Sequence, residues 1–148
     1  FERYTIDANG RVNDDGNVLF RLNMAYENRD GFRDFGYNER VFVAPTATWL
    51  IDDDTSITWE GEYRQDRRRF DTGVAALDGQ LGQLPIERFL GEPDNDFQLF
   101  QDWRQSLFLD HRLNDIWTAR VMATNIFYYA PSSGTFPISQ DPGTTTLN

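Results

Sequence analysis

RVFVAPTATWLIDDDTSITWEGEYRQD, residues 40–66, reads as two antiparallel β-strands joined by a tight acidic turn. Side chains alternate between the faces of a strand, so residues two apart share a side. Val41, Val43, Ala47, Trp49, Ile51, Ile57, Trp59 and Tyr63 fall on one side, and Thr46, Thr48, Thr58, Glu60, Glu62 and Arg64 on the other. Such a ribbon must bury one face and wet the other. Two architectures do so: a soluble antiparallel sandwich, and a transmembrane barrel with its apolar face to lipid and its polar face to the lumen.

Working outward, the same period recurs. Upstream, Tyr4, Ile6, Ala8, Gly10 and Val12 alternate with Arg3, Thr5, Asp7, Asn9 and Arg11, and the run stops at Asn13-Asp14-Asp15-Gly16, residues that accept the left-handed backbone of a tight turn. Residues 17–28 give the clearest strand, with Val18, Phe20, Leu22, Met24 and Tyr26 opposite Arg21, Asn23, Ala25 and Glu27, and Leu19 as the apolar exception. Pro45 forfeits a ladder hydrogen bond, yet the alternation runs through it, which keeps the strand. Downstream, strands are expected at about 99–112 and 116–128, joined at Asn114-Asp115, with Phe108 breaking the polar side of the first. The tail from Pro131, rich in Ser, Thr, Gly and Pro, reads as loop.

Connections carry the next step. Short turns are expected at 13–16, 52–55 and 114–115, and long ones at 28–39, 67–98 and from 129, so short and long alternate strictly. In an up-and-down meander this sorts all short turns to one end, as in outer-membrane barrels. A sandwich has no reason to do so. Trp49, Trp59 and Trp117 lie near short turns, and Tyr26, Tyr63, Trp103, Phe127 and Tyr128 near long loops, as two interfacial belts would.

Composition narrows the function classes. With 148 residues, 14 basic against 24 acidic side chains and a net charge of −10, nucleic acid is excluded as a partner, because phosphate contacts need a basic surface. No cysteine means no disulfide and no thiolate metal site. No apolar run of about 18 residues exists, which excludes a transmembrane helix but not a barrel strand. The chain opens on Phe1 without a signal-like segment and is expected to be a piece of a longer protein.

The residues also carry a resemblance. Arg21-Leu22-Asn23-Met24-Ala25-Tyr26-Glu27, Gly31-Phe32-Arg33-Asp34-Phe35, Ala44-Pro45-Thr46 with Trp49, Glu60-Gly61-Glu62-Tyr63, Leu84 to Pro93 (LPIERFLGEP) and His111-Arg112-Leu113-Asn114-Asp115 with Trp117 occur in the order expected of the early barrel, and the chain resembles TonB-dependent siderophore receptors. The resemblance implies an all-β antiparallel meander of about six strands, part of a large outer-membrane barrel around a plug. It implies ferric siderophore as cargo, with iron carried inside its chelate and no cofactor or metal bound directly by the chain. It further implies contact with the TonB complex through a plug region, with outer-membrane lipid and with lipopolysaccharide. About six strands cannot close such a barrel, so the isolated piece is expected neither to transport nor to fold stably.

Ligand-binding candidates are Arg33, Phe35 and Tyr37 in the first long loop, and Arg64, Arg67, Arg68 and Phe70 at the root of the second. Guanidinium groups and aromatic rings suit a bulky, often anionic chelate through charge-assisted hydrogen bonds and stacking. The bland reading of the basic run is a solvated loop balanced by Asp66 and Asp71, or one facing lipopolysaccharide phosphate. An enzyme is not expected. Glu60 and Glu62 have the pairing of a glycosidase, but in a barrel they are lumen charges in water. Ser106 and His111 lie five apart and so face opposite sides of a strand, which sinks a hydrolase triad. The alternative to a receptor is a soluble β-sandwich that binds carbohydrate on its tryptophans.

Overall fold

The computed structural model describes residues 1–139 and residue 141. Strands β1 (Glu2–Arg11), β2 (Val18–Asp30), β3 (Tyr37–Leu50), β4 (Thr55–Arg68), β5 (Phe97–Arg112) and β6 (Thr118–Tyr129) pair in sequence order, each antiparallel to the next. A two-residue strand, β7 (Ser132–Ser133), pairs with Phe97 and Gln98 of β5 beyond the end of β6. The tail after Pro131 is therefore not loop from its first residue: the backbone carbonyl of Pro131 accepts from Leu99 N–H at 3.0 Å and carries the ladder onward.

Each tight turn is built by an Asx side chain that accepts backbone N–H groups. Asn13 Oδ1 accepts from Val18 at 3.1 Å, Asp52 Oδ1 from Asp54 at 2.9 Å, and Asn114 Oδ1 from both Ile116 and Trp117 at 2.9 Å. The N–H of Asp54, and after it Thr55, hold the Asp52 carboxyl below its ordinary value.

The long connections depart from expectation at one place. Arg29 pairs with Asn38 and Asp30 with Tyr37, so the β2–β3 ladder runs on through residues expected to be loop. Only Gly31–Gly36 remains, closed by Gly31 N–H to the Gly36 carbonyl at 2.9 Å. That turn is no longer than the β1–β2 connection, and the strict short–long alternation fails there. Residues 69–96 between β4 and β5 keep the length that was expected.

Burial is inverted relative to a water-soluble domain. Among the described residues the buried hydrophobic side chains are Leu77 and Phe89, both in the long connection, whereas the buried side chains of the sheet are the polar Asn38, Asp102 and Ser106. Trp49, Trp59, Trp103 and Leu107 stand 50%, 37%, 52% and 49% exposed on the apolar face. A sandwich would cover them with a second sheet, and the described strands form one sheet only.

The register sets rows across the sheet. Val43, Tyr63, Trp103 and Phe127 stand side by side on the apolar face toward the 69–96 loop, with Tyr63 and Trp103 rings 4.4 Å apart. One row toward the turns, Gly61 faces Gln105. A Cβ at Gly61 would stand 2.9 Å from the Trp59 ring and 3.1 Å from Pro45, so glycine is what lets the indole lie over the strand. The β3–β4 ladder skips from Val43↔Tyr63 to Thr46↔Glu60, at the point where Pro45 has no N–H to give. Tyr128 departs from the belt assigned to it: it pairs with Asp102, on the polar face.

Candidate functional site

On the polar face, at the loop end of β3 to β6, side chains from four strands line a cleft of about 500 Å³ that includes Arg40, Phe42, Arg64, Arg68, Phe100 and Tyr128. The period-two rule brings them together: Arg40, Phe42, Arg64, Asp66, Arg68, Phe100, Asp102 and Tyr128 are all even-numbered, and the register aligns Phe42, Arg64, Asp102 and Tyr128 in one row and Arg40, Asp66 and Phe100 in the next. Cation and carboxylate are interleaved. Arg64 grips Asp102 Oδ2 with Nε at 2.8 Å and Nη2 at 2.7 Å, and Asp102 is 6% exposed. Arg40 Nε bonds Asp66 Oδ2 at 2.7 Å, and its Nη1 lies 3.8 Å from Glu27. The other Asp66 oxygen accepts from Asn38 Nδ2 at 3.2 Å. The Arg68 guanidinium carbon sits over the Phe100 ring, 5.1 Å from its centroid, and its Nε donates to Gln98 Oε1 at 3.0 Å.

A second cleft, of about 380 Å³, adjoins the first and shares Arg40 and Arg68 with it; Arg33, Tyr37, Arg69 and Phe89 also line it. Above it the 69–96 connection is tied down. Arg69 donates from Nε to the Phe35 carbonyl at 3.0 Å and from Nη1 to the carbonyls of Pro93 and, at 2.8 Å, Asp96. Asp96 is 1% exposed and accepts from Thr135 N–H at 3.0 Å, Thr135 Oγ1 at 2.9 Å and Glu92 N–H at 2.9 Å. Burial pushes its carboxyl up, but these donors outweigh burial and hold it below its ordinary value.

The seven sequence candidates fall in four places. Arg64 and Arg68 share the larger cleft, and Arg33, Tyr37 and Arg68 share the smaller. Arg33 is engaged as a staple: its Nη1 donates to the Ile86 carbonyl at 2.5 Å and its Nε lies 2.5 Å from Asp71. Phe35, 63% exposed, stands edge-on to Phe89 at 6.3 Å, and Phe70 has its ring over the backbone of Gly134. Arg67 pairs with Glu39 and Leu99 on the opposite face from Arg64 and Arg68, so the basic run is split by the pleat. Arg40, Phe100 and Tyr128 had no motif to mark them; their shared parity was the available signal, and it needed the strand register to become a site.

Away from the clefts, Glu60 faces Ser106 and Glu62 faces Arg104 on the polar side. Ser106 Oγ bonds Thr124 at 3.0 Å, while His111 Nδ1 meets Thr55 at 2.9 Å on the other face. No group of three metal-ligating His, Cys, Asp or Glu side chains occurs among the described residues. No helix among them is long and apolar enough to cross a membrane.

A one-layer antiparallel meander, with tryptophans bare on one face and ion pairs on the other, is the wall of a β-barrel of the outer-membrane type. The known proteins that it is similar to specify the barrel. The chain is 39% identical over 119 residues to the metal-pseudopaline receptor CntO of Pseudomonas aeruginosa strain UCBPP-PA14, which covers 80% of this chain and 17% of that receptor. It is 28% identical over 146 residues to the probable TonB-dependent siderophore receptor PiuA of Acinetobacter baumannii, covering 92% of this chain and 19% of the relative. The ferrioxamine receptor of Yersinia enterocolitica matches at 25% identity over 107 residues, 71% of this chain and 15% of that protein. The crystal structure of the siderophore receptor PiuA from Acinetobacter baumannii shares the fold with a TM-score of 0.73 at 24% identity, over 91% of this chain and 20% of that one. No family model matches the chain. The chain thus resembles TonB-dependent siderophore receptors in sequence as well as in fold, and spans less than a fifth of the length of these curated relatives.

Proposed function

We propose that this chain is a wall segment of an outer-membrane TonB-dependent receptor that binds and imports ferric siderophores. The observation that carries the reading is the pairing of a receptor-like sequence with an arginine- and aromatic-lined cleft at the loop end of the polar face. The relatives are named as receptors, and the chain's part in import is to bind and enclose rather than to catalyse. Iron travels inside its chelate, so the wall supplies hydrogen-bond donors and ring faces to the chelate's periphery and needs no metal ligands of its own. The bare tryptophan face meets outer-membrane lipid, and the loop-end residues meet lipopolysaccharide. TonB delivers energy through a plug region held in the lumen.

The test is to express the gene that encodes this chain in a Gram-negative host lacking its own ferric-siderophore receptors, with and without TonB, and to follow radioactive iron supplied as ferric siderophores. TonB-dependent accumulation supports the reading. Equal accumulation in both hosts, or none in either, overturns it.

A further inference from the structure

We infer that Arg68 is the anion anchor of the larger cleft, and that the chelate it selects presents a free carboxylate beside an apolar or aromatic surface. The inference rests on the receptor reading and narrows its ligand class. Three guanidinium groups and two carboxylates line the cleft, and the two carboxylates are already committed. Asp102 is gripped by Arg64 through two nitrogens. Asp66 gives one oxygen to Arg40 and the other to Asn38. Arg68, by contrast, has no carboxylate within ion-pairing distance among the described residues; its one hydrogen-bonding partner is the neutral Gln98.

Its geometry is that of a prepared receptor for a carboxylate. Nε donates to Gln98 and the guanidinium carbon sits over the Phe100 ring, which leaves both terminal amino groups of this exposed side chain without an acidic partner among the described residues. Two parallel N–H donors match a carboxylate's two oxygens. Phe100, Phe42 and the 64%-exposed Tyr128 supply the adjoining apolar surface. A hydroxamate chelate with no free carboxylate offers this fork only neutral carbonyl acceptors, without the charge-assisted bidentate pair. Arg64 and Arg40, already neutralised, hold the shape of the cleft and do not discriminate charge.

The test uses outer membranes from cells expressing the gene, and two radioactive probes: ferric citrate, which carries free carboxylates, and ferric desferrioxamine B, a trihydroxamate. Arg68→Ala should weaken retention of ferric citrate about tenfold or more, the scale of one charge-assisted bidentate pair, and leave the trihydroxamate unchanged. Arg68→Lys, which keeps the charge but not the planar fork, should lie between. Arg120→Ala, at the far end of the sheet and paired with Asp110, should match the unmodified protein for both probes. Equal loss of both probes with Arg68→Ala, no loss of either, or an unmodified protein that retains only the trihydroxamate overturns the carboxylate inference and leaves the receptor reading standing. An unmodified protein that retains neither chelate overturns both.

Discussion

Asp96 shows how one side chain holds a loop of this length in place. Its two oxygens collect donors from both sides of the connection, Glu92 within it and Thr135 beyond β6, and a Cβ at Gly91 would overlap Oδ2. Asp96→Asn keeps the shape but replaces one acceptor by a donor, so one backbone N–H is left facing an N–H₂ group. The expected cost is about 1–3 kcal/mol of local stability, the penalty of an unsatisfied buried donor. Faster amide hydrogen exchange at Glu92 and Thr135, with strand amides unchanged, is the readout. The same carboxylate makes the loop acid-sensitive. Because its folded pKa lies below the ordinary 3.8, the stabilisation is complete above that value and is lost as the pH falls through the folded pKa. Protection of those two amides, relative to their intrinsic exchange rates, should therefore be constant from pH 7 to pH 5 and should fall below about pH 4, whereas the Asp96→Asn protein should show no such step.

At the scale of the element, each strand is a ribbon whose faces answer to different solvents. Leu107 and Glu60 sit in central strands, on the apolar and the polar face respectively. Leu107→Arg should destabilise the protein in lipid vesicles by about 2–4 kcal/mol, the cost of a cation at mid-bilayer, whereas Glu60→Arg should stay within about 0.5 kcal/mol. Urea unfolding in vesicles measures both, and equal effects would contradict the assignment of faces. This period is what made the fold legible. Alternation through Pro45 and across the Asp52–Asp54 turn placed β3 and β4, and the same count separates Arg67 from Arg64 and Arg68, a distinction missed when the basic run was read as a loop root. The β2–β3 turn was not legible because Asn28, Asp30 and Asn38 are turn-favouring residues by composition; only cross-strand pairing, Asn28 with Glu39, Asp30 with Tyr37, and Asn38 with Arg29 and Arg68, makes them strand. The cleft was half legible for a related reason. Arginines and aromatics can be counted along a chain, but which of them meet across strands depends on registers set by turns ten or more residues away.

For the whole molecule, the inverted burial makes the solvent part of the structure. Strand signal should appear when the protein encoded by the gene is refolded with detergent micelles or lipid and stay low in buffer alone. In brominated-lipid vesicles the emission of Trp49, Trp59 and Trp103 should be quenched. A cooperatively folded chain in buffer whose tryptophans ignore the brominated lipid would favour the sandwich and sink the barrel.

The alternation of faces also bears on how such a chain reaches its membrane. Because every second residue of a strand is polar, the mean hydropathy is −0.62 despite the continuous greasy face of the folded sheet. A machine that selects apolar spans of about 20 residues finds none in the extended chain. The lipid-facing surface exists only after the strands have paired, so the information that says which membrane to enter is kept silent until folding writes it out.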